Sequence, residues 1–100
     1  MMQIIYEYHD VSSSTRLEEL AKEKLENLHH KYNFVHRADV FFKQQNRSDD
    51  SEMICDIRLS LPGPRIFAST NAENFEAAIA ETVRDLEDQL KKVKGKMKDY

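Results

Sequence analysis

The sequence predicts an α+β fold with the chain order β-α-β-β-β-α: a four-stranded mixed sheet with two helices packed on one face. Three observations carry this prediction. Four stretches alternate or run apolar in the manner of strands, at 3–8, 37–44, 52–61 and 65–70. Two stretches, about 14–31 and from about 71–74 to the end, repeat their apolar residues at helical spacing. Three of the four Gly and Pro residues lie together in Pro62-Gly63-Pro64, a tight turn between two strands.

The first strand sets Ile4, Tyr6 and Tyr8 on one face and Ile5 and Glu7 on the other. Ser12-Ser13-Ser14 then offers N-caps, with Thr15 and Glu18 as an alternative capping box. Leu17, Leu20, Ala21, Leu25 and Leu28 form the apolar stripe of the first helix. In the second strand Ala38, Val40 and Phe42 alternate with Asp39, Phe41 and Lys43. A polar loop is expected over 46–51. The third strand gives the clearest alternation, with Met53, Cys55, Ile57, Leu59 and Leu61 facing one way. The last helix carries Phe75, Ala78, Ile79, Thr82, Val83, Leu86, Leu90, Val93 and Met97 on one stripe, and Gly95 is expected to weaken its end. A helical crossover makes the first two strands parallel, and short connections make the last three an antiparallel meander.

A chain of 100 residues fits one domain spanning 1–100. The single cysteine, Cys55, has no intramolecular disulfide partner, and no Cys/His spacing resembles a metal site. A reducing, cytoplasmic setting follows. The N-terminus does not read as a signal peptide, and no apolar run approaches a membrane span. No phosphate loop or nucleophile elbow is present, so neither enzyme chemistry nor a cofactor is expected.

Charge is distributed unevenly. The net charge of −3 argues against a nucleic-acid partner when taken as a sum. Resolved by position, residues 1–90 hold ten basic and seventeen acidic residues, net −7. Residues 91–100 hold five lysines and one aspartate, net +4. On a helix, Arg84, Lys91 and Lys98 form one basic stripe, and Lys92 and Lys96 a second on the opposite flank. Such stripes suit phosphates. The plainer reading is a solvated helix end, with Glu87–Lys91 and Asp88–Lys92 as i,i+4 pairs. On the sheet face away from the helices, Ile5, Phe41, Ile54 and Phe67 make a candidate protein interface, including for a weak homodimer. Base stacking on Phe41 and Phe67 is the less favoured reading of that face, because Asp39 and Asp56 lie among them.

The element order, Val11 with the Ser-rich cap, Ala68-Ser69 closing the fourth strand, Asn74-Phe75-Glu76-Ala77-Ala78-Ile79, and the run from Gln89 to Lys98 resemble the short hibernation promoting factors. These belong to the ribosome-associated inhibitor family, also labelled sigma-54 modulation proteins. The resemblance implies a fold like that of double-stranded RNA-binding domains and a non-enzymatic role in stress and stationary phase. It implies binding to the small ribosomal subunit and its ribosomal RNA, in the channel used by messenger and transfer RNA. It places RNA contacts at Lys24, Lys91, Lys92, Lys94, Lys96 and Lys98, beside Arg84 from the charge stripe. Asp85 and Asp88 depart from the basic residues expected there, and Glu76 from a frequent Tyr. The resemblance to short members also implies that pairing of ribosomes needs another hibernation factor.

Overall fold

The structure is a computed structural model that describes residues 2–46 and 51–97. Its elements are β1 (Gln3–His9), α1 (Thr15–Lys31), β2 (Arg37–Asn46), β3 (Ser51–Ser60), β4 (Arg65–Ala72) and α2 (Phe75–Met97). The expected order therefore holds, with strand ends moved by one or two residues. Of the loop expected over 46–51, Asn46 and Ser51 belong to strands, and 47–50 lies outside the described residues.

The strands lie in the order β1-β2-β3-β4. β1 and β2 are parallel, and β2, β3 and β4 are antiparallel. Helix α1 supplies the crossover that a parallel pair needs. Gly63 has φ +97°, a left-handed conformation that glycine adopts without steric cost, so the Pro62-Gly63-Pro64 turn closes between β3 and β4.

Both helices pack on the inner face. Leu17, Ala21, Leu25 and Leu28 of α1 join Ala78, Ile79, Leu86 and Leu90 of α2 in one core with Val40, Phe42, Cys55, Ile57 and Leu59 of the central strands. Phe42 is fully buried at the junction of three elements. Its ring stacks on Tyr8 of β1 at 5.3 Å and meets Phe75 of α2 edge-on at 5.5 Å. Aromatic pairs at these separations contribute about 0.5–1.5 kcal/mol beyond their buried area.

The helix starts are tied down locally. Ser14 is the N-cap of α1, its Oγ accepting from the Leu17 amide at 3.2 Å. Glu18 turns to β1 instead of closing a capping box with Thr15. Its carboxylate accepts from the Tyr8 hydroxyl at 2.7 Å, and its carbonyl accepts from Tyr6 at 3.1 Å. Burial first, and the Glu18 charge second, push Tyr6 up to about 12; Tyr8 is raised as well, chiefly by burial. Asn74 caps α2, accepting from the Ala77 amide at 2.8 Å. That helix continues through Gly95 to Met97.

Inside the core, the Thr82 hydroxyl lies 2.7 Å from the Ala78 carbonyl and 3.1 Å from that of Cys55, tying α2 to β3. Burial pushes the Cys55 thiol up to about 12 from 9.0. The thiolate is the nucleophilic form, so Cys55 is inert at neutral pH.

Two outcomes follow. Phe42→Ala is expected to destabilise by about 3–5 kcal/mol in urea unfolding. For Cys55, the unfolded chain gives up its proton before the folded one. The stabilising contribution is therefore intact below pH 9.0 and lost as pH rises towards about 12. Urea midpoints measured from neutral to alkaline pH should fall over that window, and less steeply in Cys55→Ala. Tyr6 and Tyr8 add a loss of the same sign that the variant retains.

Candidate functional site

The flank of α1 that faces α2 carries Arg16, Leu20, Lys24 and Lys31 at helical spacing. Its two ends are pinned. Arg16 pairs with Glu76, and Lys31 with Glu87 at 3.1 Å. The hydrogen bond from Arg16 holds the Glu76 carboxyl below its ordinary range. Lys24 is half-buried between these bridges and forms no ion pair among the described residues.

Helix α2 sorts its cations into different environments. Lys94 turns towards α1, where its Nζ donates to the Lys31 carbonyl at 3.3 Å and lies 5.5 Å from the Tyr32 ring centre. It thus caps the C-terminal end of α1. Lys91, Lys92 and Lys96 are exposed and form no ion pair among the described residues. The expected i,i+4 pairing is replaced. Glu87 reaches across to Lys31, because that flank of α2 faces α1, and so leaves Lys91 without its carboxylate. Asp88 makes no bridge to Lys92 either.

Lys92 and Lys96 share a helix line with Gln89, whose amide donates to the Phe67 carbonyl at 3.0 Å. They therefore project on the β4 side of α2, away from Lys91. Arg84 belongs to a different neighbourhood, a shallow cleft lined by Thr70, Glu81, Asp85 and Asp88. Three carboxylates line this cleft beside it, though none forms an ion pair with Arg84 among the described residues, so the stripe runs from a mixed-charge part at Arg84 to a basic part at Lys91. Lys98 lies outside the described residues.

A cleft of about 420 Å³ opens where the two helices end, lined by His30, Lys31, Asn33, Phe34, Lys94 and Met97. It has basic and apolar walls and no carboxylate among the described residues. Sequence reasoning offers His30 and Lys31 as part of a groove wall beside the last helix but misses Asn33 and Phe34, since their nearness to α2 is set by packing.

The outer face of the sheet departs from the expected apolar interface. Ile5, Phe41, Ile54 and Phe67 do lie on that side in the register, but Ile54 is buried, at 7% exposure. It sits on an interior strand between Lys43 and Asn71, whose side chains occupy the space on either side. Ile5 and Phe41 are half-buried, and Phe67 alone of the four is exposed. Polar groups interrupt the patch. Asp56 accepts from Lys43 at 2.7 Å and from the Ser69 hydroxyl. Asp39 pairs with Arg37 at 2.9 Å and with Arg58 at 3.6 Å.

The family model described as "Sigma 54 modulation protein / S30EA ribosomal protein" matches residues 4–98. The chain belongs to this family. A solved ribosomal subunit interface protein from Coxiella burnetii is 26% identical, with a TM-score of 0.83 over 94% of this chain and 99% of the other. The N-terminal domain of Thermus thermophilus Protein Y, 20% identical, shares the fold with a TM-score of 0.76 over 92% of this chain and 99% of that domain. No curated protein sequence matches the chain. Among the described residues, no helix is long and apolar enough to cross a membrane, and no group of His, Cys, Asp and Glu side chains could hold a metal ion.

Glu87→Gln tests how far this family member restrains its own cations. The bridge to Lys31 is largely exposed on the lysine side, so stability should change by less than about 1 kcal/mol. Retention on phosphocellulose should increase, because Lys31 is then unpaired.

Proposed function

We propose that the chain is a ribosome hibernation factor acting as a single ribosome-binding unit. It contacts ribosomal RNA of the small subunit and silences idle ribosomes by occupying the messenger and transfer RNA channel. No catalytic step and no cofactor enter this reading. Its setting is the cytoplasm. Membership of the ribosomal-protein family supports the ribosome as partner, as does the likeness to the Coxiella interface protein.

The observation that carries the RNA surface is the set of unpaired lysines on the last turns of α2. Lys91, Lys92 and Lys96 face solvent with no carboxylate neutralising them among the described residues. Lys24 adds a cation from α1, and Lys94 holds the two helix ends together while presenting its charge at the cleft. Arg84 contributes less, because acidic neighbours surround it. Each phosphate neutralised releases counterions, so affinity gained this way falls steeply with salt.

Ribosome co-sedimentation across a salt series tests the proposal. Lys91→Glu/Lys92→Glu/Lys96→Glu should lose binding at moderate salt. Its salt dependence should be flatter than that of the unaltered chain by about one unit of slope per contact removed. Binding and slope unchanged in the triple variant would reject this surface. Arg84→Gln should have a smaller effect than any one of the three lysine reversals.

A further inference from the structure

The outer sheet face carries a second charge pattern that is independent of the lysine-rich helix. On sequence grounds Asp39 and Asp56 count against base stacking there. In the structure both carboxylates are buried, at 5% and 7% exposure. Arg37 holds Asp39 Oδ1 from Nε at 3.1 Å and from Nη2 at 2.9 Å, and Arg58 approaches Oδ2 at 3.6 Å. The side chains of Arg37 and Arg58 remain 46% and 42% exposed. Solvent therefore meets guanidinium groups, with the neutralising carboxylate beneath them.

The register places these groups together. Ile5, Asp39, Arg58 and Phe67 form one row across the four strands. Gln3, Arg37, Ser60 and Arg65 form the next. Strands lie about 4.8 Å apart, so Arg37, Arg58, Arg65 and Phe67 share a patch about 10 Å across. Phe67 is 53% exposed, with Arg58 opposite it and Arg65 two residues before it on the same face. Arg65 is also exposed and forms no ion pair among the described residues. The corner holds three guanidiniums and one buried carboxylate around an uncovered aromatic ring.

We propose that this corner of the sheet is a second RNA-contacting surface, taking an unpaired base on Phe67 and the adjoining phosphates on Arg37, Arg58 and Arg65. Both ligand parts find a matching group. Every base offers a face for stacking on an aromatic ring, and guanidinium forks suit phosphate oxygens. An acidic peptide would satisfy the arginines and leave the ring uncovered. The two helices occupy the opposite face of the sheet, so an RNA-walled site could hold the chain from both sides. The inference rests on the ribosome reading for its biological setting, but its side chains lie on the sheet face opposite the helices.

Titration of the isotope-labelled full chain with single-stranded oligouridylate, followed by amide chemical shifts, tests it. Shifts should cluster at Ile5, Arg37, Arg58, Arg65 and Phe67. Phe67→Ala should weaken binding about tenfold, and Phe67→Tyr should retain it. Phe67 is exposed, so both variants should keep the remaining spectrum unchanged. Shifts confined to α1 and α2, or full affinity in a folded Phe67→Ala, would overturn the proposal. Polyglutamate binding as tightly as oligouridylate, and equally to wild type and Phe67→Ala, would also overturn it and identify an acidic protein partner instead. The two readings fail separately. Loss of co-sedimentation in the lysine variant with an indifferent Phe67→Ala removes only the sheet surface. Normal co-sedimentation of that variant with oligouridylate lost in Phe67→Ala removes only the α2 surface.

Discussion

Both helices pack on the same face of a single sheet, and this one-sidedness governs the rest of the molecule. Phe42, Cys55, Ile57 and Leu59 point from the two central strands into the helices and are fully buried. Their alternate neighbours must point the other way, where no element among the described residues covers them. Groups on that face are therefore satisfied sideways, by partners on adjacent strands. Asp39 takes Arg37 and Arg58, and Asp56 takes Lys43 and Ser69. The ionic layer of the open face is thus a consequence of where the hydrophobic layer went.

The same packing determines what the helices can present. Setting α1 beside α2 brings Arg16 to Glu76 and Lys31 to Glu87. These exposed bridges contribute little to stability. Their larger effect is to draw Glu87 to Lys31, which leaves Lys91 without its i−4 carboxylate among the described residues. The acidic body and the basic tip are separated along the chain, and Glu76, Glu87, Asp39 and Asp56 are held by cations of the body. This favours a local, oriented contact with a polyanion over a broadly attractive surface.

The local elements were legible in the residues because each depends on short-range periodicity. Alternation in 52–61 and the apolar stripe of the last helix needed no knowledge of the fold. Ser14 was a legible cap, whereas the choice of Tyr8 over Thr15 as partner for Glu18 was not, since Tyr8 meets Glu18 only when α1 packs back against β1. The lysine-rich end was legible as composition. The sorting of Lys94 to the α1 carboxyl end, and of Arg84 among Glu81, Asp85 and Asp88, was not.

The sequence by itself determined the element order, the parallel and antiparallel pairings, the inner face of the sheet, and the concentration of positive charge at one end. Those properties follow from spacing along the chain and from the chirality of crossovers. Tertiary structure alone decided which charges remain unpaired. Glu87 belongs to Lys31 and not to Lys91, Ile54 is covered although it faces outward, and Asp39 and Asp56 lie beneath the cations that mask them. The physical reason is that ion pairing and burial depend on distances between residues far apart in sequence. Those distances exist only once the helices and strands have taken their places.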